Sequence, residues 1–105
     1  MLHRLEEQRH EERIRAAFPV DLGGATGLTR DVSASGIFFE TEPSFTPGNP
    51  IRMLIDIDTP GGPITMNYTG RIIRLERREG RLGVAVRIVE SEIASAQARA
   101  LHGAP

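Results

Sequence analysis

The sequence predicts an all-β chain closed into a small six-stranded antiparallel barrel, with a charged N-terminal arm or helix ahead of it and a short C-terminal helix behind. Three observations carry this. Gly and Pro clusters recur at short intervals between positions 23 and 80. The segments between them alternate apolar and polar side chains with the period of a half-buried strand. The 105 residues suffice for one hydrophobic core and not for two, so the alternating faces must close on one another.

The elements follow in order. Residues 1–17 form the charged arm, dense in Arg and Glu and free of Gly and Pro. Glu11 and Arg15 stand at helical spacing, and Leu2, Leu5 and Ile14 supply only a few apolar contacts. The barrel spans residues 18–90. Phe18-Pro19-Val20-Asp21-Leu22 opens it, Gly23-Gly24 breaks it, and a strand then enters Asp31. Gly36 to Thr41 is a further short strand, followed by the Thr46-Pro47-Gly48-Asn49-Pro50 loop. Ile51, Met53, Ile55 and Ile57 share one face, opposite Arg52, Leu54, Asp56 and Asp58. After Thr59-Pro60-Gly61-Gly62-Pro63, Ile64, Met66 and Tyr68 alternate with Thr65, Asn67 and Thr69. Gly70 interrupts this long strand at a bulge or bend before Arg77. Glu79-Gly80 turns the chain into Leu82, Val84, Val86 and Ile88, which alternate with Arg81, Gly83, Ala85 and Arg87. Met53, Ile55, Val84, Val86 and Ile88 are the expected core. Residues 91–105 are read as a C-terminal helix and tail. Ile93, Ala96, Gln97, Ala100 and Leu101 follow helical spacing, Gly103 is the stop, and the helix would plug one end of the barrel.

Composition narrows the function. The net charge is −1 and aromatics make up 5% of residues, which disfavours general DNA or RNA binding; a small anionic ligand needs only a local arginine cluster. No cysteine is present, so disulfides, thiolate metal sites and thiol catalysis are excluded together, and a cytoplasmic location is expected. Neither a signal-peptide pattern nor a membrane-spanning apolar run is present, so no membrane insertion is expected. His3, His10 and His102 have no metal-ligand spacing. Asp56 and Asp58 could flank a metal, but read more simply as the wet face of their strand. Arg71, Arg74, Arg77, Arg78 and Arg81 cluster around one hairpin, either as a surface for an acidic partner or as a solvated hairpin end. No catalytic constellation or phosphate loop is present, and the chain is read as a binding module, not an enzyme.

The stretch that carries chemistry is Thr29-Arg30-Asp31-Val32-Ser33-Ala34-Ser35-Gly36-Ile37-Phe38-Phe39. An Asp carboxylate accepts from N–H donors, a Ser hydroxyl or backbone N–H bonds an anionic oxygen, and Gly lets the backbone approach a ligand. The same Asp-x-Ser before Gly also serves as a turn former, since both side chains bond nearby backbone. With its context of an Arg-rich N-terminus, the Phe18–Leu22 segment and the late Gly83-Val84-Ala85-Val86-Arg87-Ile88 strand, it resembles the D-x-S-x-x-G signature of PilZ domains, bacterial receptors for cyclic di-GMP. Asp31, Ser33 and Gly36 match the signature.

The resemblance covers about residues 10–90. It implies a PilZ-like split barrel that binds one or two molecules of cyclic di-GMP at one edge and signals to a protein partner whose identity the sequence does not give. The family's second motif is R-x-x-x-R, with its second Arg just before the first strand. Anchored on Phe18-Pro19-Val20, the matching positions are Arg13 and Ala17, so the second arginine is absent. Arg15 is a partial substitute, and Arg9 with Arg13 forms a literal R-x-x-x-R one turn earlier. The expected ligand site is therefore Arg13, Arg15, Asp31, Ser33 and Gly36, with Arg9 as an alternative. The competing reading is a degenerate PilZ-fold adaptor that binds no nucleotide and acts through protein contacts, as in type IV pilus or motility regulation.

Overall fold

The computed structural model describes residues 12–96. Seven strands form one antiparallel sheet: β1 (Arg13–Ile14), β2 (Pro19–Asp21), β3 (Thr26–Ser33), β4 (Gly36–Thr41), β5 (Ile51–Thr59), β6 (Gly62–Arg78) and β7 (Arg81–Ala96). The order is β1-β3-β2-β5-β6-β7-β4, and β4 also pairs with β3, which closes β2 to β7 into a six-stranded barrel. Closure satisfies the backbone groups that an open sheet would leave at its edges.

Alternation sets what lies inside. In β5, Ile51, Met53 and Ile55 are buried while Arg52, Leu54 and Asp56 are exposed. In β4, Ile37, Phe39 and Thr41 point inward and Phe38 and Glu40 outward. Phe39, Met53, Ile55, Leu82 and Val84 have no exposed surface, and Val20, Val32, Val86 and Tyr68 complete the core. Of the expected core, Ile88 alone is only partly buried. Burial pushes the Tyr68 phenol above its ordinary pKa, so it stays neutral.

The long strand expected after residue 63 is present as β6, and its register slips at Gly70, although the extra residue, Val89, lies in β7. A Cβ at Gly70 would lie 2.5 Å from the Arg87 carbonyl, so only glycine allows β7 this close. Glu79 and Gly80 both have positive φ, 52° and 74°, as a two-residue hairpin turn matching strand twist requires.

Two expectations about the ends are corrected. Residues 91–96 are strand, not helix: they continue β7 and pair with β6 from Thr69↔Glu90 to Ile64↔Ala96. The i, i+3 spacing of Ile93 and Ala96 suits a helix, but the first half of β6 offers a ladder that a helix would leave unused. The rest of the expected helix, from Gln97 onward, lies outside the described residues. At the other end, Arg13–Ile14 is a strand and the chain to Ala17 is not helical, because β3 extends beyond β2 and pairs with this segment instead. Residues 1–11, including Arg9, lie outside the described residues. No helix among the described residues is long and apolar enough to cross a membrane.

Candidate functional site

Strand β3 organises the site. Its start pairs with β2, Val20↔Gly27 and Asp21↔Thr26, and its end pairs with β1, Arg13↔Ser33 and Ile14↔Val32. Thr29 spans the gap between these ladders. Its buried hydroxyl donates to the Ala16 carbonyl and accepts from the Phe18 amide at 2.8 Å, and its own amide donates to the Phe18 carbonyl at 2.9 Å. One inward-facing threonine thus holds the N-terminal segment along β3.

A register shift between Thr29 and Asp31 places Thr29 opposite Phe39 and Asp31 opposite Phe38. Arg30 is the extra residue of this bulge. Its consequence is directional. Thr29 and Val32 face the core, while Arg30 and Asp31, though consecutive, both face outward. Without the bulge, strict alternation would turn one of them inward.

Arg13 donates from Nη1 to Asp31 Oδ1 at 3.4 Å, with 60% of the Arg13 side chain and 26% of the Asp31 side chain exposed. Ser33 Oγ accepts from the Gly36 amide and donates to the Gly36 carbonyl, both at 3.2 Å. The serine therefore closes the β3–β4 turn, as its turn-forming chemistry allows. A Cβ at Gly36 would lie 3.2 Å from the Val86 carbonyl, so this glycine serves the β4–β7 approach as well.

These residues line a cavity of about 470 Å³ that holds Arg13, Asp31, Ser33, Gly36, Arg74 and Arg87. A second hollow of about 260 Å³ adjoins it across Asp31 and Phe38 and is lined by Arg15, Arg30, Glu40, Arg78 and Arg81. Arg15 and Asp31 thus line the second hollow together, while Arg13 meets Asp31 in the first. Ala17 is exposed and lines the next hollow, with Leu28 and Arg30, and not the cavity of Ser33 and Gly36. Arg13, Arg15 and Ala17 follow one another at alternate positions along β3.

Sequence reasoning missed Arg30, Phe38, Arg74, Arg78, Arg81 and Arg87. The hairpin arginines were visible as a cluster, but closure of β4 against β7 is what brings them beside Asp31. Carboxylates hold several in place: Glu40 bridges Arg30 and Arg81, both at 3.1 Å, and Glu76 bridges Arg74 at 2.7 Å and Arg78 at 3.1 Å. The two hollows carry seven arginines against three carboxylates, a local surplus of four positive charges on a chain whose net charge is −1. Among the described residues, no group of three or more His, Cys, Asp or Glu could hold a metal ion.

The structure is thus a closed antiparallel barrel with an arginine-rich cleft on its outer wall. The chain belongs to the PilZ domain family: the family model matches residues 3–101 of the 105. No curated protein and no solved structure matches the chain.

Proposed function

We propose that this chain is a receptor for cyclic di-GMP, bound on the outer face of β3 by Arg13, Arg15, Asp31, Ser33 and Gly36, which passes the signal to a protein partner. Membership of a family of cyclic di-GMP receptors supports the ligand class. The observation that carries the reading is the β1–β3 register, which sets Arg13 across from Ser33 with its guanidinium on Asp31. Arginine offers a planar fork to a phosphate or to the guanine O6/N7 edge, and the carboxylate accepts from the guanine N–H groups. The ligand would take up Arg13 and fasten the N-terminal segment to the barrel, changing the surface a partner meets.

The test is a calorimetric titration of the full chain with cyclic di-GMP. Wild type should bind. Asp31→Ala and Arg15→Ala should each weaken binding about tenfold to a hundredfold, the scale of one charge-assisted contact. The melting temperature should hardly move, because exposed ion pairs contribute at most about 1 kcal/mol. Unchanged affinity in both variants would overturn the assignment of the site.

The adaptor reading draws on two observations. Ala17 carries no charge where the family has its second arginine, and the Ser33 hydroxyl is engaged on both sides within its own turn. No binding by wild type or by Ala17→Arg would make it the better account.

A further inference from the structure

Phe38 is a large aromatic ring on the outside of the barrel, where alternation ordinarily puts polar side chains. It is half-buried, and it lines both arginine-rich hollows. Its seat is made for it by Gly83 on β7: a Cβ there would lie 2.7 Å from Phe38 Cζ, so any larger residue would push the ring off the wall. In the β3–β4 register its partner is Asp31, brought there by the bulge at Arg30. Side chains directly opposite in an antiparallel pair have Cβ atoms about 4.5–5.5 Å apart. Over the ring, the Arg74 guanidinium carbon stands 5.9 Å from the centroid, at the far limit of a cation–π contact, and Glu76 anchors Arg74 at 2.7 Å. A flat hydrophobic face, a carboxylate at its rim and a guanidinium above it are together what a guanine needs: a surface to stack on, an acceptor for its N–H edge, and a donor fork for its O6/N7 edge or a cation for its face.

We propose that Phe38 is the stacking platform for a guanine base of the bound dinucleotide, with Asp31 reading the base edge and Arg74 moving outward to cap the base. The inference rests on the receptor reading. It adds a specificity determinant that lies outside the Asp31–Ser33–Gly36 signature and outside the N-terminal arginines. It also gives the two hollows one purpose, since a base on Phe38 leaves its sugar–phosphate to reach the arginines on either side. Arg74, tethered through Glu76, can follow the base without leaving the hairpin.

The chain contains no tryptophan, so Phe38→Trp introduces a single fluorophore at the platform. Titration of this variant with cyclic di-GMP should quench and shift the tryptophan emission in step with the binding isotherm from calorimetry. Phe38→Leu, which keeps an apolar cover over Gly83, should fold with a near wild-type melting temperature and bind roughly five- to a hundredfold more weakly, the range for one lost base–aromatic stack. Binding of wild-type strength by Phe38→Leu, or calorimetric binding by Phe38→Trp with its emission unmoved, would overturn the platform while leaving the receptor reading intact. A wild-type protein that takes up no cyclic di-GMP would overturn both.

Discussion

The residue with most influence for its size is Thr29. Its hydroxyl lies in the barrel wall, yet its partners, the Ala16 carbonyl and the Phe18 amide, belong to the segment that carries Arg13 and Arg15. Thr29→Val keeps the shape and removes the hydrogen bonds, leaving two backbone groups unpaired. The expected loss of stability is about 1–3 kcal/mol, read as a lower melting temperature. Ligand affinity should fall as well, although residue 29 touches no ligand in the proposed site, because the arginines lose their mooring; unchanged affinity would show that they find their places without it. Residue-level chemistry was partly legible in the sequence. Asp31, Ser33 and Gly36 stood out as a motif; its turn-forming reading holds for Ser33 and Gly36, which bond each other across the β3–β4 turn, while Asp31 lines the cavity, where its ligand role is the proposal. Arg30 was not legible because its outward direction beside Asp31 comes from a bulge in β3, and Phe38 was not legible because alternation turns it outward but does not reveal that the bulge sets it opposite Asp31.

At the scale of elements, the strands from Gly36 onward could be read off the chain because one face of each is buried and Gly or Pro marks each turn. The two ends could not be read the same way. Ile93 and Ala96 fit a helix by spacing, and the charged stretch around Arg13 fits one by composition. In both cases the deciding fact is an unpaired length of neighbouring strand, β6 for one and β3 for the other, which appears only once the order of strands is known. The β6–β7 turn shows where local chemistry falls short of its backbone. Glu79 sits at φ 52°, a conformation that costs most L-residues free energy and that asparagine tolerates. Glu79→Asn gives the turn the Asn-Gly pair that this hairpin type favours. It should raise stability by about 0.5–1 kcal/mol, measured by denaturant midpoint, and a lower midpoint would mean that the Glu79 carboxylate contributes more than its strained backbone costs.

At the scale of the whole molecule, charge is unevenly shared. The arginine-rich wall carries its surplus of positive charge on a chain that is slightly acidic overall, so a dianionic ligand is drawn to one side of the protein. Such steering is screened over about 8 Å at physiological ionic strength and about 3 Å at 1 M. The association rate for cyclic di-GMP should therefore fall as salt is raised, with the dissociation rate changing less, in stopped-flow measurements; a dissociation rate that climbs with salt while association is unmoved would place the charge effect in the bound state. The order in which the wall is built matters too. Asp31 and Phe38 belong to the β3–β4 hairpin, and Arg74, Arg78 and Arg81 to the β6–β7 hairpin, each made of residues near one another in the chain. The pairings that complete the ring, Ile37 with Val86 in β4–β7 and Val20 with Ile55 in β2–β5, link distant residues and close the largest loops, so they carry the greatest cost in chain entropy. A nascent chain can hold either hairpin without holding the cleft. The full cleft exists only when the ring is shut: until β7 docks on β4, the N-terminal segment, β3 and β4 hold Arg13, Arg15, Asp31 and Phe38 without the arginines of β6 and β7, and a chain still waiting for its last strand offers a ligand only half of the wall.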